Sequence, residues 1–401
     1  MSYTPSQELL EKYAHVLINF ALNSGEGVKP GEVVQVQVPE VAKPMYVPLR
    51  NTILKAGAIP LMQFLPDDVQ AADFYEIASD QQLDFFLHDY SKGLVDQVDH
   101  SVYIIAEFDK YELANVDPEK IMRRSKTMKP YMEWRRDKEA AGKFTWTLAM
   151  YGTEAMAKDV NMSLEDYWAE IIKACYLDQP DPVAAWRKTM AEIDHIKDAL
   201  NALEIDKLHV EAEGIDLTIG LGANRTWLGG SGRNIPSFEI FTSPDWRRTE
   251  GHVSFNQPLY RYGNMVENVY LEFKEGRVVK ATATKNEELL TAMIATENAD
   301  KVGEFSLTDG RHSRITKVMG ETLFDENIGG PEGNTHIAVG SAYRDAYPGD
   351  MSTVSEEQWK EMGYNESVVH TDIVSTAKRK VTATLADGST KVIYENGKFL
   401  V

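Results

Sequence analysis

The stretch Val33-Val34-Gln35-Val36-Gln37-Val38 decides the first half of the fold. It follows a Pro30-Gly31 turn and has the β-branched, alternating composition of a strand. Next, Met45, Leu49 and Ile53 fall on one helical stripe, with Gly57 placed to end that helix. Residues 59–64 read as a second strand. Strand, helix, strand in this order calls for a parallel sheet with helical crossovers, because parallel neighbours cannot be joined by a tight turn. Short apolar runs at 102–106 and 144–149 extend the pattern. No strand is followed by a dinucleotide fingerprint. Asn23-Ser24-Gly25-Glu26-Gly27 lacks the third Gly and precedes a strand, so it reads as a loop.

Beyond this region the chain turns helical. Ser163-x-x-Asp166 has the form of a capping box, with Leu164, Trp168, Ile171 and Cys175 on one face. Cys175 therefore reads as a small core hydrophobe, not a nucleophile. Asp181-Pro182 opens another helix, running to about Leu203. From Lys207 the character changes to strands at 207–212 and 216–221. Glu275-Gly276, Asp387-Gly388 and Asn396-Gly397 are hairpin signals between later alternating runs. The expected fold is α/β, or α+β overall. Residues 1–200 form an alternating α/β domain with a parallel sheet. Residues 201–401 form a mixed α+β domain rich in antiparallel hairpins.

Composition narrows the function. The 401 residues are 43% hydrophobic and 26% charged, an ordinary globular balance. A net charge of -20 argues against a nucleic-acid partner, which needs a basic face. One Cys excludes a disulfide framework and fits a reducing compartment. No secretory leader or membrane span is evident, so a soluble, cytoplasmic protein is expected.

The chemistry concentrates in the second half. In Val369-His370-Thr371-Asp372-Ile373-Val374 the imidazole and the carboxylate, two residues apart, face one side of a strand. Such a pair in an apolar strand needs a partner, either a structural hydrogen bond or a metal ion. Glu239 is a lone acid in Ile235-Pro236-Ser237-Phe238-Glu239-Ile240-Phe241, and Glu304 another in Val302-Gly303-Glu304-Phe305. Then comes Thr322-Leu323-Phe324-Asp325-Glu326-Asn327, a Gly-rich loop to Gly333, and a helix expected to start at Asn334 or Thr335. His336 would lie in its first turn, with Tyr343 on the same face. Taken together, these groups suffice for two divalent metals with bridging carboxylates. A pair about 3.5–4 Å apart suits hydrolysis of an amide or a phosphate ester. No Gly-x-Ser-x-Gly elbow, His-Glu-x-x-His helix, P-loop or EF-hand loop is present.

These segments resemble the aminopeptidase T / aminopeptidase S family of metallopeptidases. The likeness rests on Thr322 to Asn327, on His336-Ile337-Ala338-Val339-Gly340-x-Ala342-Tyr343 and on Val369-His370-x-Asp372. Pro236-x-x-Glu239-Ile240-Phe241-Thr242-x-Pro244, Gly303-Glu304 and the hairpin around Glu275-Gly276 fit as well. The resemblance implies removal of N-terminal residues from peptides with a free N-terminus and broad residue preference. It implies two divalent metals (zinc, cobalt, manganese or magnesium) and a homodimer. By motif position it makes Glu239, Glu304, Glu326, His336, His370 and Asp372 the metal ligands. Tyr343 falls at the metal edge, as a ligand or as a donor to the tetrahedral intermediate. Glu304 and Glu326 are candidates for moving protons. The loop before His336 is longer than the family pattern and contains a second acid, so Glu332 stands as an alternative to Glu326.

Two other readings use the same residues. A dinuclear phosphoesterase would profit from cations at the site, and Arg247, Arg248, Arg311 and Arg314 are available by sequence. A non-enzymatic ligand-binding protein would use the acidic site for a cationic ligand. Trp227, Trp246, Phe255, Tyr260 and Tyr262 could line a side-chain pocket, but fit core or dimer contacts better.

Overall fold

The computed structural model describes residues 3–66, 70–230, 232–261 and 264–401. The chain divides into two compact units, Met1–Arg187 with Ser231–Pro236, and Lys188–Gly230 with Ser237–Val401. Tyr262 lies outside the described residues. Each unit is built differently.

The first unit is a parallel sheet. Its strands are β1 (Val33–Pro39), β2 (Ile59–Leu65), β3 (His100–Ile105), β4 (Thr145–Met150) and the two-residue β8 (Asn234–Ile235). Their order is β2-β1-β3-β4-β8. Every neighbouring pair is parallel, as the alternating sequence required. Helix α1 (Gln7–Val16) precedes the sheet. The crossovers are α2 (Tyr46–Lys55) between β1 and β2, then α3 (Gln70–Ile77), α4 (Asp80–Leu83) and α5 (His88–Gln97) between β2 and β3. Helix α6 (Pro118–Ala140) joins β3 to β4. Leu49 and Ile53 of α2 are fully buried, and Gly57 ends that turn with φ 78°. After β4 come α7 (Glu154–Asp159), α8 (Leu164–Ala174) and α9 (Pro182–Asn201), the last passing into the second unit. The Ser163 hydroxyl accepts from the Asp166 N–H, the cap read from sequence. Cys175 is buried, 3.6 Å from the Tyr13 hydroxyl, and burial pushes its thiol up to about 12. It is core, not a nucleophile.

The second unit is antiparallel. Its strands are β5 (Ile205–Ala212), β6 (Ile215–Gly220), β7 (Leu228–Gly229), β9 (Glu239–Thr242), β10 (Thr249–Ser254), β11 (Leu259–Arg261), β12 (Asn264–Val266), β13 (Tyr270–Lys274), β14 (Arg277–Thr282), β15 (Val302–Thr308), β16 (Asn334–Gly340), β17 (His370–Ser375), β18 (Arg379–Leu385), β19 (Thr390–Glu395) and β20 (Lys398–Phe399). An eight-stranded sheet runs β14-β13-β10-β6-β5-β18-β19-β20, and a five-stranded sheet runs β17-β16-β15-β9-β7. Strands β11 and β12 form a separate hairpin. The turns at Glu275-Gly276, Asp387-Gly388 and Asn396-Gly397 are all hairpins between adjacent strands. Short helices α10 (Glu287–Ile294), α11 (Thr322–Asp325) and α12 (Glu356–Glu361) fill connections.

One core joins the two sheets of this unit. Leu217, Ile219, Val253, Leu271 and Val381 of the large sheet belong to the same buried cluster as Ile240, Phe305, Leu307, Ile337, Val339 and Ile373 of the small one. Trp227 and Phe255 are part of this core. Strand alternation then decides what the small sheet shows on its other face: Glu239, Glu304, Ser306, His336, Ala338, His370 and Asp372.

The expected helix at Asn334 is not formed. Asn334–Gly340 is a central strand, paired with β15 and β17, with every residue buried. Thr335, Ile337 and Val339 supply a period-two β-branched series that outweighs the cap-like Asn-Thr start. Tyr343 lies in the loop after the strand with an extended backbone, so it meets the site from a loop and not along a helix face.

Candidate metal centre

Five residues on four strands, and the register of those strands, build the site. His336 pairs with Ser306, Thr308 with Glu239, Ala338 with both Glu304 and Asp372, and Gly340 with His370. Neighbouring strands lie about 4.8 Å apart, so donors on one face at these registers converge. The small residues Ala338 and Gly340 in the second half of β16 leave room for them. At Gly340 the backbone has φ 103°, and an added Cβ would lie 2.0 Å from the Val369 carbonyl oxygen. That position accepts only glycine without moving the strand that carries His370.

Each imidazole is oriented by a backbone carbonyl. The Nδ1 of His336 donates to the Glu326 carbonyl at 3.2 Å, and the Nδ1 of His370 to the Ser341 carbonyl at 2.8 Å. Nε2 of each ring is thereby turned to the carboxylates, the usual orientation of a metal-ligating histidine. His336 Nε2 lies 3.1 Å from Glu304 Oε1, 3.2 Å from Glu239 Oε2 and 3.9 Å from Asp372 Oδ1. His370 Nε2 lies 3.7 Å from Glu304 Oε2 and 3.6 Å from Asp372 Oδ1. Two donor triads result, Glu239–Glu304–His336 and Glu304–His370–Asp372, the donor atoms of each within 4.8 Å of one another. Glu304 belongs to both and is 3% exposed.

The electrostatics of this group are those of crowded buried acids. Burial, reinforced by Glu239 and Asp372, lifts the Glu304 carboxyl to about 7 despite the hydrogen bond from His336. Burial and then Glu239 and Asp372 raise Glu326 as well. Burial disfavours the imidazolium of His370, but Asp372 outweighs it and the ring is raised to about 9. Burial likewise opposes ionisation of Asp372, yet His370, His336 and Arg261 hold it down to about 2. The Asp372 Oδ1 atom is buried with no hydrogen-bond partner, since 3.6 Å is too long for one. Four carboxylates against two imidazoles, with an unsatisfied carboxylate oxygen among them, is a donor set that fits divalent cations.

All six residues named as ligands from sequence lie in or against this group. Glu326, at the end of α11, faces Glu239, Asp372, His336 and Glu304 electrostatically and receives a hydrogen bond from the Asn327 amide at 3.3 Å. Glu332 lies elsewhere: its carbonyl accepts from Arg379 and the Tyr394 hydroxyl, and its charge acts on those two side chains. The Tyr343 ring packs 4.7 Å from that of His370. Loss of solvent around its hydroxyl, then the charges of Glu304 and Asp372, keep the phenol protonated well above its usual range. Two neighbours were missed in the sequence. Ser306 donates to Glu239 at 3.4 Å, and Arg261 donates to the His370 carbonyl at 3.1 Å. Ser306 carried a signal, since it lies two residues from Glu304 on one strand. Arg261 carried none, because it comes from the β11–β12 hairpin and meets the site only through tertiary packing.

Three of the arginines considered for a phosphate substrate are engaged locally. Arg247 pairs with Asp245, Arg248 with Asp206 and Arg311 with Asp309.

A buried, carboxylate-rich donor set with two oriented histidines on an antiparallel sheet is that of a metalloenzyme. The chain belongs to the family of thermophilic metalloproteases M29, whose model matches residues 6–399. It is similar to aminopeptidase PepS of Streptococcus thermophilus, with 28% identity over 98% of both chains. It is also similar to aminopeptidase T of Thermus thermophilus, with 31% identity over 73% of this chain and 74% of that one. The solved structure of wild-type AmpT from Thermus thermophilus superposes with a TM-score of 0.84 at 26% identity, covering 98% of this chain and all of that one. A dioxygenase for 2,5-dihydroxypyridine from Pseudomonas putida shares the fold alone, with a TM-score of 0.54 at 13% identity and 99% coverage of both chains.

Proposed function

We propose that this protein is a metal-dependent aminopeptidase that releases the first residue from peptides with a free amino end and holds two divalent cations per subunit. The carrying observation is that Glu304 belongs to two donor triads at once. Glu239, Glu304 and His336 would hold one cation, and Glu304, His370 and Asp372 the other, with Glu326 as a further ligand. Zinc, cobalt, manganese and magnesium all suit such mixed oxygen and nitrogen donors. Divalent cations bound there supply Lewis acidity toward the scissile carbonyl and the attacking water. The chain's own groups do the rest. Tyr343, protonated and beside His370, donates a hydrogen bond to the oxygen that becomes negative. Glu304 and Glu326 are our candidates to take a proton from water and return it to the leaving nitrogen, although a carboxylate held tightly by metal is the poorer base. A carboxylate near the metals would hold the ammonium of a free N-terminus. The relatives named aminopeptidases support this substrate class. The pairing of Arg247, Arg248 and Arg311 with aspartates weighs against a phosphate ester.

The decisive assay compares an unblocked dipeptide with its N-acetylated form. Release of an amino acid from the first only, loss with a chelator and recovery with cobalt or zinc is the expected result. Equal cleavage of both peptides, or full metal content in His370→Ala, would overturn the reading. We further propose a homodimer, on the family resemblance, to be checked by sedimentation velocity. Among the described residues no helix is long and apolar enough to cross a membrane. A cytoplasmic location, proposed from the single buried thiol, is checked by fractionation.

A further inference from the structure

We infer that the first unit carries a binding site for a small organic ammonium ion, in a cavity beyond the carboxyl ends of β1, β3 and β4, with Glu107 as its counter-charge. The sheet order places the site. From β1 the chain crosses to β2 on one side and then to β3 on the other, so the direction of winding switches between β1 and β3. In open parallel sheets ligands bind at that switch, outside the carboxyl ends of the strands. A cavity of about 300 Å³ lies there, lined by Val41 after β1, Glu107 and Phe108 after β3, and Tyr151 after β4. Tyr3 and Trp168 complete its walls.

The lining selects the ligand. Four aromatic rings face the cavity, and among the described lining residues the charged ones are Glu107 and Glu154, with no Lys or Arg. A phosphate or carboxylate ligand would find no cation. An ammonium ion would find both carboxylate charge and aromatic faces, the combination that recognises amines and quaternary ammonium groups. The walls are fixed. Trp168 Nε1 donates to the Gly152 carbonyl at 3.0 Å, and its ring packs 5.0 Å from that of Tyr151. The Thr153 hydroxyl donates to the Glu107 carbonyl at 2.7 Å. The Glu107 carboxylate is incompletely satisfied. Its Oε2 is buried without a hydrogen-bond partner, with the Lys110 ammonium 3.7 Å away. Burial raises this carboxyl above its ordinary range and Lys110 only partly offsets it, so a second cation would stabilise the charged form.

The test is a calorimetric titration of the full-length metal-loaded protein with choline and, separately, with phenethylammonium. A third ligand is the uncharged carbon isostere of choline. Saturable binding of at least one cation, with the isostere about tenfold weaker or more, is expected. Glu107→Gln should weaken that binding about tenfold while dipeptide hydrolysis stays at the wild-type rate. Phe108→Ala removes a wall residue that is 54% exposed, and it should also weaken binding even if Glu107→Gln fails to fold. No saturable binding of either cation overturns the proposal, as does equal binding of the isostere. So does undiminished binding in Phe108→Ala and in a folded Glu107→Gln, which would put the cation among the carboxylates of the metal centre.

Discussion

At the scale of single residues, the unresolved choice in the sequence was between Glu326 and Glu332. Both are acids in one Gly-containing segment, and spacing alone could not separate them. Their surroundings favour Glu326. The Glu326 carboxyl feels Glu239, Asp372, His336 and Glu304, whereas Glu332 acts on Arg379 and Tyr394. Glu326 also supplies the carbonyl that orients His336, so its backbone and side chain serve the same centre. Glu326→Gln keeps the size and the carbonyl but removes the charge. It should lower metal affinity about 10- to 100-fold, as loss of a ligand or its supporting partner does. Glu332→Gln should keep full metal content. Elemental analysis after dialysis against limiting zinc reads both variants, and the reverse ranking would move the loop ligand to Glu332.

At the scale of elements, a buried carboxylate fastens the last strand to the metal-bearing sheet. Asp309 follows β15 directly. Its Oδ1 accepts the Arg311 N–H at 2.9 Å, and its Oδ2 accepts the Phe399 N–H of β20 at 3.0 Å. Burial opposes its ionisation, but the Arg311 guanidinium and these two N–H groups outweigh it and lower its pKa. Arg311 is about half exposed, so water screens the ion pair, and the backbone bonds carry most of the effect. Asp309→Asn can satisfy only one of the two N–H groups and should cost about 2 kcal/mol at pH 7, measured by urea unfolding. A carboxyl with a depressed folded pKa stabilises above its unfolded value of about 3.9 and loses that contribution as pH falls through the folded value. The gap between wild type and variant should therefore close below about pH 4. A gap that persists there would mean that shape, not charge, accounts for the loss.

Elements also show why part of the fold was legible and part was not. The hairpins were announced by their own turns. Glu275 and Gly276 have φ 49° and 75°, and Asn396 and Gly397 have φ 51° and 73°, the left-handed pair that two-residue hairpins need. Strand β1 and helix α2 were legible because buried apolar residues recur at each element's own period, Val34, Val36 and Val38 in the strand and Leu49 and Ile53 in the helix. Strand β16 was not, because both of its faces are buried, one in the apolar core and one against the metal donors. With no polar face to show alternation, Asn334 and Thr335 looked like a helix cap. Glu239, Glu304, His370 and Asp372 stood out as polar residues in apolar strands. Arg261 joins them only through the pairing of β11 with β12 and their packing near β17, which no local pattern encodes.

At the scale of the molecule, the chemistry is segregated by unit. All six proposed ligands lie in the second unit, on β9, β15, β16 and β17 and at the end of α11. The aromatic cavity with Glu107 lies wholly in the first. A ligand that binds only the folded state stabilises it in proportion to the logarithm of its saturation, about 4 kcal/mol at a thousandfold excess over Kd. That gain appears where the ligand's contacts are. Removing metal with a chelator would leave the carboxylates of β9, β15 and β17 facing one another, with Glu326 beside them and no cation to tie the strands together. Amide hydrogen exchange should then accelerate in β9, β15, β16 and β17 and stay unchanged in β1, β3 and β4. Adding choline should do the opposite in the other place, slowing exchange in residues 105–108 and 151–155 and leaving β15 to β17 as they were. Peptide-resolved exchange by mass spectrometry reads both arms in one protein. If chelation changes the first unit as much as the second, the proposed ligands are not where the metal acts. If choline changes only the second, the ammonium site is not at Glu107.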